Sequence, residues 1–267
     1  MPFLKIYKEH FPIKLLGTPS MFVGMDIKFS PGMVSLSSQT YISRMVPKFV
    51  SKEDLIHPCP VPATITDSTG RIDSYSKFEL EPSDIDLAAA SSLPFLSGIA
   101  SCLYACCTTR VDIAFHCSKL SRYCNCVTKD KYNMLITLMR YMYQTRKLCL
   151  TYGGPIKVPL VPSCRPPLDP ADLNALCGIM VFSDSSWKTG STYRGHFILC
   201  MNAAVDWAAA LMKVMASSSE AEIGAGCHAG KRAVYVRNVW CELLSTLPKL
   251  AISHVVDNSA LPHLTHG

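Results

Sequence analysis

Two apolar stretches of this chain stop at a carboxylate. "LCGIMVFSD" ends on Asp184, and "AISHVVDNS" breaks off at Asp257. Between them, "SSSEAEIGAG" puts Glu220 and Glu222 at the start of a helical pattern. If the two stretches are neighbouring parallel strands joined through that helix, both aspartates emerge at one sheet edge. The helix can then bring one glutamate to them. Three carboxylates without basic partners repel one another, and a divalent cation relieves the repulsion. Mg²⁺, or Mn²⁺, takes such hard oxygen ligands. Two such ions can hold the attacking water and the leaving oxygen of a phosphodiester. The same residues also have plainer uses: Asp is a common turn residue after a strand, and Glu in a first helical turn favours the helix dipole.

The elements that must position these groups have the order β-β-β-α-β. "LCGIMVFSD" is the first strand, and "GHFILCM" and "AAVDWAAAL" form a hairpin through a tight "NA" connection. The long helix starts near Ser217 to Ser219, any of which can cap it, and "AISHVVDNS" closes the set. Upstream, "MFVGMDIKFS", a "PGM" turn and "VSLSSQTYISRMVPKF" read as strands followed by a helix carrying Tyr41, Met45 and Phe49 on one face. Residues 57–94 are rich in Pro, Ser and Asp and read as a long connection. Three helical stretches follow: "PFLSGIASCLYACC", "TTRVDIAFHCSKLSRYC" with Thr108 or Thr109 as N-cap and Asp112 in its first turn, and "DKYNMLITLMRYMYQTRK". Residues 153–175 hold Gly153, Gly154 and a run of prolines, which places a linker there. The expected class is α/β, with an α+β N-terminal part, and the expected units are 1–94, 95–152, the linker 153–175, and 176–267.

Composition bounds the function. Hydrophobic residues make up 49% of the 267, enough for a core, and the formal charge of +6 permits a polyanionic partner. The 13 cysteines form no regular pairs at zinc spacing and read as reduced core thiols. Cys124 and Cys126 near His116 are the best zinc alternative. The uncharged stretch from Leu87 to Thr109 contains Pro94 and several hydroxyl residues, so it reads as core and not as a membrane span. With no signal peptide at the start, a soluble cytoplasmic or nuclear protein is expected.

The motifs together resemble a known family. "SDSSW", "STYRGHFI", "VDWAAALMKVMASSSEAEIGAGCHAGKRAVYVRNVWCEL" and "VVDNSA" are similar, in order and spacing, to the ribonuclease H domain of copia-type LTR retrotransposon Pol polyproteins. Upstream, "FVGMDIKFS…VSLSSQTYISRMVPKF" resembles the end of that family's reverse transcriptase, and "TTRVDIAFHCSKLSRYC" and "LMRYMYQTRKLCLTYGG" resemble its later segments. The resemblance implies a ribonuclease H-like mixed sheet in 176–267, preceded by a reverse-transcriptase palm remnant in 1–94 and a helical thumb or connection segment in 95–152. It implies that Asp184, Glu222 and Asp257 bind Mg²⁺ and cut the RNA strand of an RNA–DNA hybrid, with Glu220 the alternative to Glu222. Residues 220 and 222 lie about 200° apart around a helix, so Glu220 is expected to cap the helix or face solvent. Ser186 stands where the family has a second acidic residue, and no Y-x-D-D motif occurs, so no polymerase activity is expected. The family's fourth carboxylate would fall beyond "LPHLTHG", which implies weak cleavage, and His263 and His266 read as tail residues.

Nucleic acid would need a basic surface. Between Lys119 and Lys147 seven basic residues face one acid, Asp130, with tyrosines interleaved. Lys129, Lys131, Arg140, Arg146 and Lys147 are the candidates there for phosphate contact, joined by Lys188 and Arg194 beside Asp184. An A-form-like hybrid is read by shape and 2′-hydroxyls. The competing reading is a solvated helical face with core tyrosines.

Overall fold

The computed structural model describes residues 10–12, 17–62, 92–154, 179–187, 192–212, 215–243 and 252–256. Within them the architecture is mixed α/β, with two four-stranded sheets and six α-helices. The first sheet runs β1 (Met21–Phe22), β2 (Met25–Ser30), β3 (Met33–Ser37) and β4 (Cys149–Gly153), antiparallel throughout. Pro31 followed by Gly32 at φ 69° turns β2 into β3. β4 joins β3 from far along the chain, with Ser35 and Thr151 bonded through their hydroxyls at 3.0 Å. Gly153, at φ 85°, lies against the carbonyl oxygen of Gly32, where any Cβ would collide.

Helix α1 (Gln39–Met45) is tied to β2 at its start, because Asp26 accepts from the Thr40 amide at 2.8 Å and from its hydroxyl at 2.6 Å. Pro47 then tightens the chain into a 3₁₀ turn. Ser51 caps the short α2 (Lys52–Ile56). Helices α3 (Phe95–Thr108), α4 (Ala114–Ser121) and α5 (Lys129–Gln144) complete this part, the last capped by Thr128. α5 is amphipathic: Leu135, Leu138, Met139 and Met142 recur at helical spacing and are fully buried. They share one apolar cluster with Ile42, Met45, Phe95 and Ile99, so the core runs across the boundary expected at residue 94. Each such side chain contributes roughly 1.5–3 kcal/mol by leaving water.

The N-cap expected at Thr108 or Thr109 is corrected. Thr109 closes α3, and its hydroxyl meets that of Ser38 at 2.7 Å. A 3₁₀ turn, Val111–Ile113, intervenes before α4. Its cause is Arg110, which is fully buried and needs partners. The guanidinium donates to Asp112 at 2.8 and 2.6 Å, to the Met142 carbonyl at 3.3 Å and to Thr145 Oγ1 at 2.7 Å.

The second sheet has the order β7-β6-β5-β8: β5 (Ile179–Ser186), β6 (Tyr193–Cys200), β7 (Ala203–Leu211) and β8 (Ile252–Val255). β5 to β7 are antiparallel, joined at β6–β7 by Met201 and Asn202 at φ 53° and 71°, the signs a type I′ hairpin requires. β8 lies parallel to β5, with Phe182 opposite Val255. Helix α6 (Ser218–Leu243) packs against this sheet, and Ala229, Ala233 and Val236 meet Ile179, Val181 and Ile198. The two sheets touch where Tyr152 Oη donates to the Ala204 carbonyl at 2.6 Å, and the helices meet the second sheet where Trp207 Nε1 donates to the Cys106 carbonyl at 2.9 Å and Arg122 to Tyr193 Oη at 2.7 Å. Most of the expected linker, from residue 155 on, lies outside the described residues. Among the described residues, no helix is long and apolar enough to cross a membrane.

Candidate functional site

The C-terminal end of β5 and the N-terminal turns of α6 meet. Along β5 the buried Ile179, Val181 and Ser183 lie on the helix side, and Ser185 continues that side. Its hydroxyl donates to Glu222 Oε1 at 2.7 Å. Glu220 is occupied elsewhere. Its Oε2 accepts from the Ala216 amide at 2.6 Å, while Ser217 Oγ accepts from the Glu220 amide at 3.1 Å, a variant of the capping box in which the carboxylate reaches the amide one residue before the cap. Glu220 therefore serves the cap, and Glu222 reaches the strand end.

Asp184 is exposed at that strand end and accepts from the Ser185 amide at 2.7 Å. Alternation sets its side chain on the face opposite α6. There it lines a cavity of about 480 Å³ with Asp112, Phe115, Phe182, Trp207 and Val255. Asp257, Lys188, His263 and His266 lie outside the described residues. Among the described residues, no group of three or more His, Cys, Asp or Glu is arranged to hold a metal ion, and this includes the zinc alternative at His116, Cys124 and Cys126.

The basic candidates divide by burial. Lys131 is corrected: it is 2% exposed, its ammonium donates to the Cys126 carbonyl at 2.9 Å, and it sits 4.5 Å from the Tyr123 ring centroid. Buried on those partners, its ammonium is not presented to a phosphate in solvent. Arg146 stacks on Tyr143 at 4.4 Å and donates to its carbonyl at 2.6 Å, and Arg140 donates to the His57 carbonyl at 3.2 Å. Lys129 and Lys147 are exposed. Arg194 is the cross-strand neighbour of Ser185, on the α6 side.

A polar group that the sequence reading passed over lies deeper on that side. Asp206 accepts from Arg232 at 2.7 and 2.9 Å and lies 3.0 Å from His196 Nε2. Burial opposes its ionisation, but the hydrogen bonds from His196 and Arg232 and the Arg232 charge outweigh it and hold the carboxyl well below the usual range. His228 packs 5.3 Å from His196; burial, then the charges of Arg194, His196 and Arg232, push its pKa down. Ser183 and His254 Nε2 are 2.8 Å apart across β5 and β8, and burial lowers the His254 pKa. The one signal in the sequence was a lone acid inside "AAVDWAAAL".

The chain is similar to the "Retrovirus-related Pol polyprotein from transposon TNT 1-94" of Nicotiana tabacum, 25% identical over 238 residues. The match covers 88% of this chain and 16% of that polyprotein, so the chain spans about a sixth of its relative's length. The similarity supports a chain related to a retrotransposon Pol polyprotein. No family model and no solved structure matches it.

Proposed function

We propose that this is a copia-type Pol-derived protein whose second sheet and α6 form a ribonuclease H-like unit that binds RNA–DNA hybrids and cuts their RNA strand slowly. The carrying observation is the parallel β5–β8 pair with α6 packed against it, which brings Glu222 to the end of the strand that bears Asp184. Asp184, Glu222 and Asp257 are the ligands we assign to Mg²⁺ or Mn²⁺, and the all-oxygen donor set suits either ion. The ion would supply Lewis-acid activation of water and of the scissile phosphodiester. Of the chain's own residues, Ser185 holds Glu222 in place, and Arg194 with the exposed Lys129 and Lys147 offers positive charge to the hybrid backbone. Slow turnover follows from the faces. Asp184 leaves the face of β5 opposite α6, whereas Glu222 comes from α6 to the facing side, so a shared ion requires the strand end to twist.

The same feature favours a second reading: a retroelement relic that binds nucleic acid without cutting it. A labelled RNA–DNA hybrid with Mg²⁺ separates the two. The first reading expects slow, salt-sensitive cleavage by the wild type, at least about tenfold less by Asp184→Asn and Glu222→Gln, and equal binding by all three. Equal residual cleavage by all three proteins would leave only the binding reading.

A further inference from the structure

The face of the second sheet turned away from α6 is only partly covered. Helix α4 reaches it over β7, and beside that contact lies the cavity of about 480 Å³ that Asp184 lines. Small-molecule sites have volumes of roughly 300–1,000 Å³. The walls are aromatic: Phe182 from β5, Phe197 from β6, Trp207 from β7 and Phe115 from α4. The three strand aromatics are half-buried and Phe115 is 39% exposed, so ring surface stays open to solvent. Trp207 is held in place, because its Nε1 donates to the Cys106 carbonyl at 2.9 Å.

The room beside Asp184 comes from a glycine. Gly195 is its cross-strand partner, and a Cβ there would meet nothing within 4 Å. Residues directly opposite each other share a face of the sheet, so a side chain at 195 would stand in the cavity next to the carboxylate. The cavity also carries a negative charge that nothing in its wall offsets. Among the described residues that line it, none is lysine or arginine. Asp112 is already committed, accepting from Arg110 at 2.8 and 2.6 Å and from Tyr141 Oη at 2.9 Å. His196 turns its ring to Asp206, 3.0 Å away on the α6 side. Asp184 is exposed and accepts the Ser185 amide through Oδ1.

We propose that this cavity binds a planar aromatic cation, its ring against the aromatic walls and its positive charge at Asp184. Stacking covers the open ring surface, the π faces attract the cation, and the carboxylate pairs with it. An aromatic anion gains the stacking but is repelled by Asp184. An aliphatic amine gains the charge contact without the stacking. The site needs neither a metal ion nor nucleic acid, so it stands independently of the cleavage proposed above.

The test titrates proflavine, a tricyclic aromatic cation, into the nucleic-acid-free full chain in EDTA, read by tryptophan quenching and dye polarisation. Saturable binding is expected. Anthracene sulfonate, with the same number of rings and the opposite charge, and spermidine, charged but not aromatic, are expected to displace the dye at least about tenfold more weakly. Asp184→Asn is expected to weaken proflavine about five- to tenfold, and Gly195→Leu to remove its binding. If Gly195→Leu fails to fold, Asp184→Asn, at an exposed strand end, decides alone. Sulfonate binding as tightly as proflavine, or proflavine binding unchanged in Asp184→Asn or in folded Gly195→Leu, overturns the proposal.

Discussion

Helices α5 and α6 each cover a layer of partners, and they do so with different residues. α5 buries Met134, Leu135, Leu138, Met139 and Met142, whereas α6 buries Ala221, Ala225, Gly226, Ala229, Ala233 and Val236. Large side chains remove much apolar area from water, at roughly 25 cal/mol per Å², and small ones remove little. The α5 core is accordingly wide and apolar. Beneath α6 the apolar cluster is smaller, and the same layer carries Ser185–Glu222, Asp206–Arg232 and His196. Small residues let the helix approach the sheet and leave room for polar pairs at its margins. The first region is held by burial; the second depends also on charge, and it carries the candidate site.

The comparison breaks if the α5 core tolerates truncation. Leu138→Ala, at a fully buried position, is expected to cost about 2–5 kcal/mol in denaturant unfolding; a loss well under 1 kcal/mol would contradict a close-packed core. Beneath α6 the sensitive direction is the reverse. Ala229→Leu, also at a fully buried position, is expected to cost about 1–3 kcal/mol by overpacking. Hydrogen exchange should show the loss in β5 and β6 before it reaches α5.

Charge dependence sharpens the contrast. The Asp206 carboxyl is depressed in the folded state, so its contribution is complete above the unfolded value of roughly 3.9 and is lost as pH falls through the folded one. His228 and His254 are also depressed. The unfolded chain takes up their protons first, near roughly pH 6.5, and stability falls as the solution is acidified from there. Protection in β6 and β7 should therefore decline in two stages on acidification. Asp206→Asn should cost about 1–3 kcal/mol at neutral pH and abolish the second stage alone; an unchanged acid profile would remove Asp206 from the account. The smallest effect expected is Ser217→Ala, about 1 kcal/mol from the α6 cap, read as faster exchange in the first turn of α6.

Much of the second sheet was legible because its signals are local. The short apolar runs in "IMVFSD" and "GHFILCM" mark strands, and Ser217 followed by Glu220 marks the helix start. β4 was not legible. "CLTYG" is five residues long and becomes a strand only because β3 offers it an edge from far upstream. Thr109 looked like a helix cap because its spacing to Asp112 suits one, but burial of Arg110 drew Asp112 to itself. Lys131 looked like a phosphate contact because a sequence lists charges without saying which are buried.

Residue types and their spacing alone determined an apolar strand running into Asp184, that Glu220 and Glu222 cannot both face it, and the tight hairpin, since each depends on neighbours a few positions away; the structure carries the strand on to Ser186. Only the tertiary structure decided which face of β5 carries Asp184, that Ser185 and not Asp184 meets Glu222, and that Asp206 is shared between His196 and Arg232. These depend on how a helix lies across a sheet. Such placement is set by the fit of whole surfaces, which no local pattern encodes.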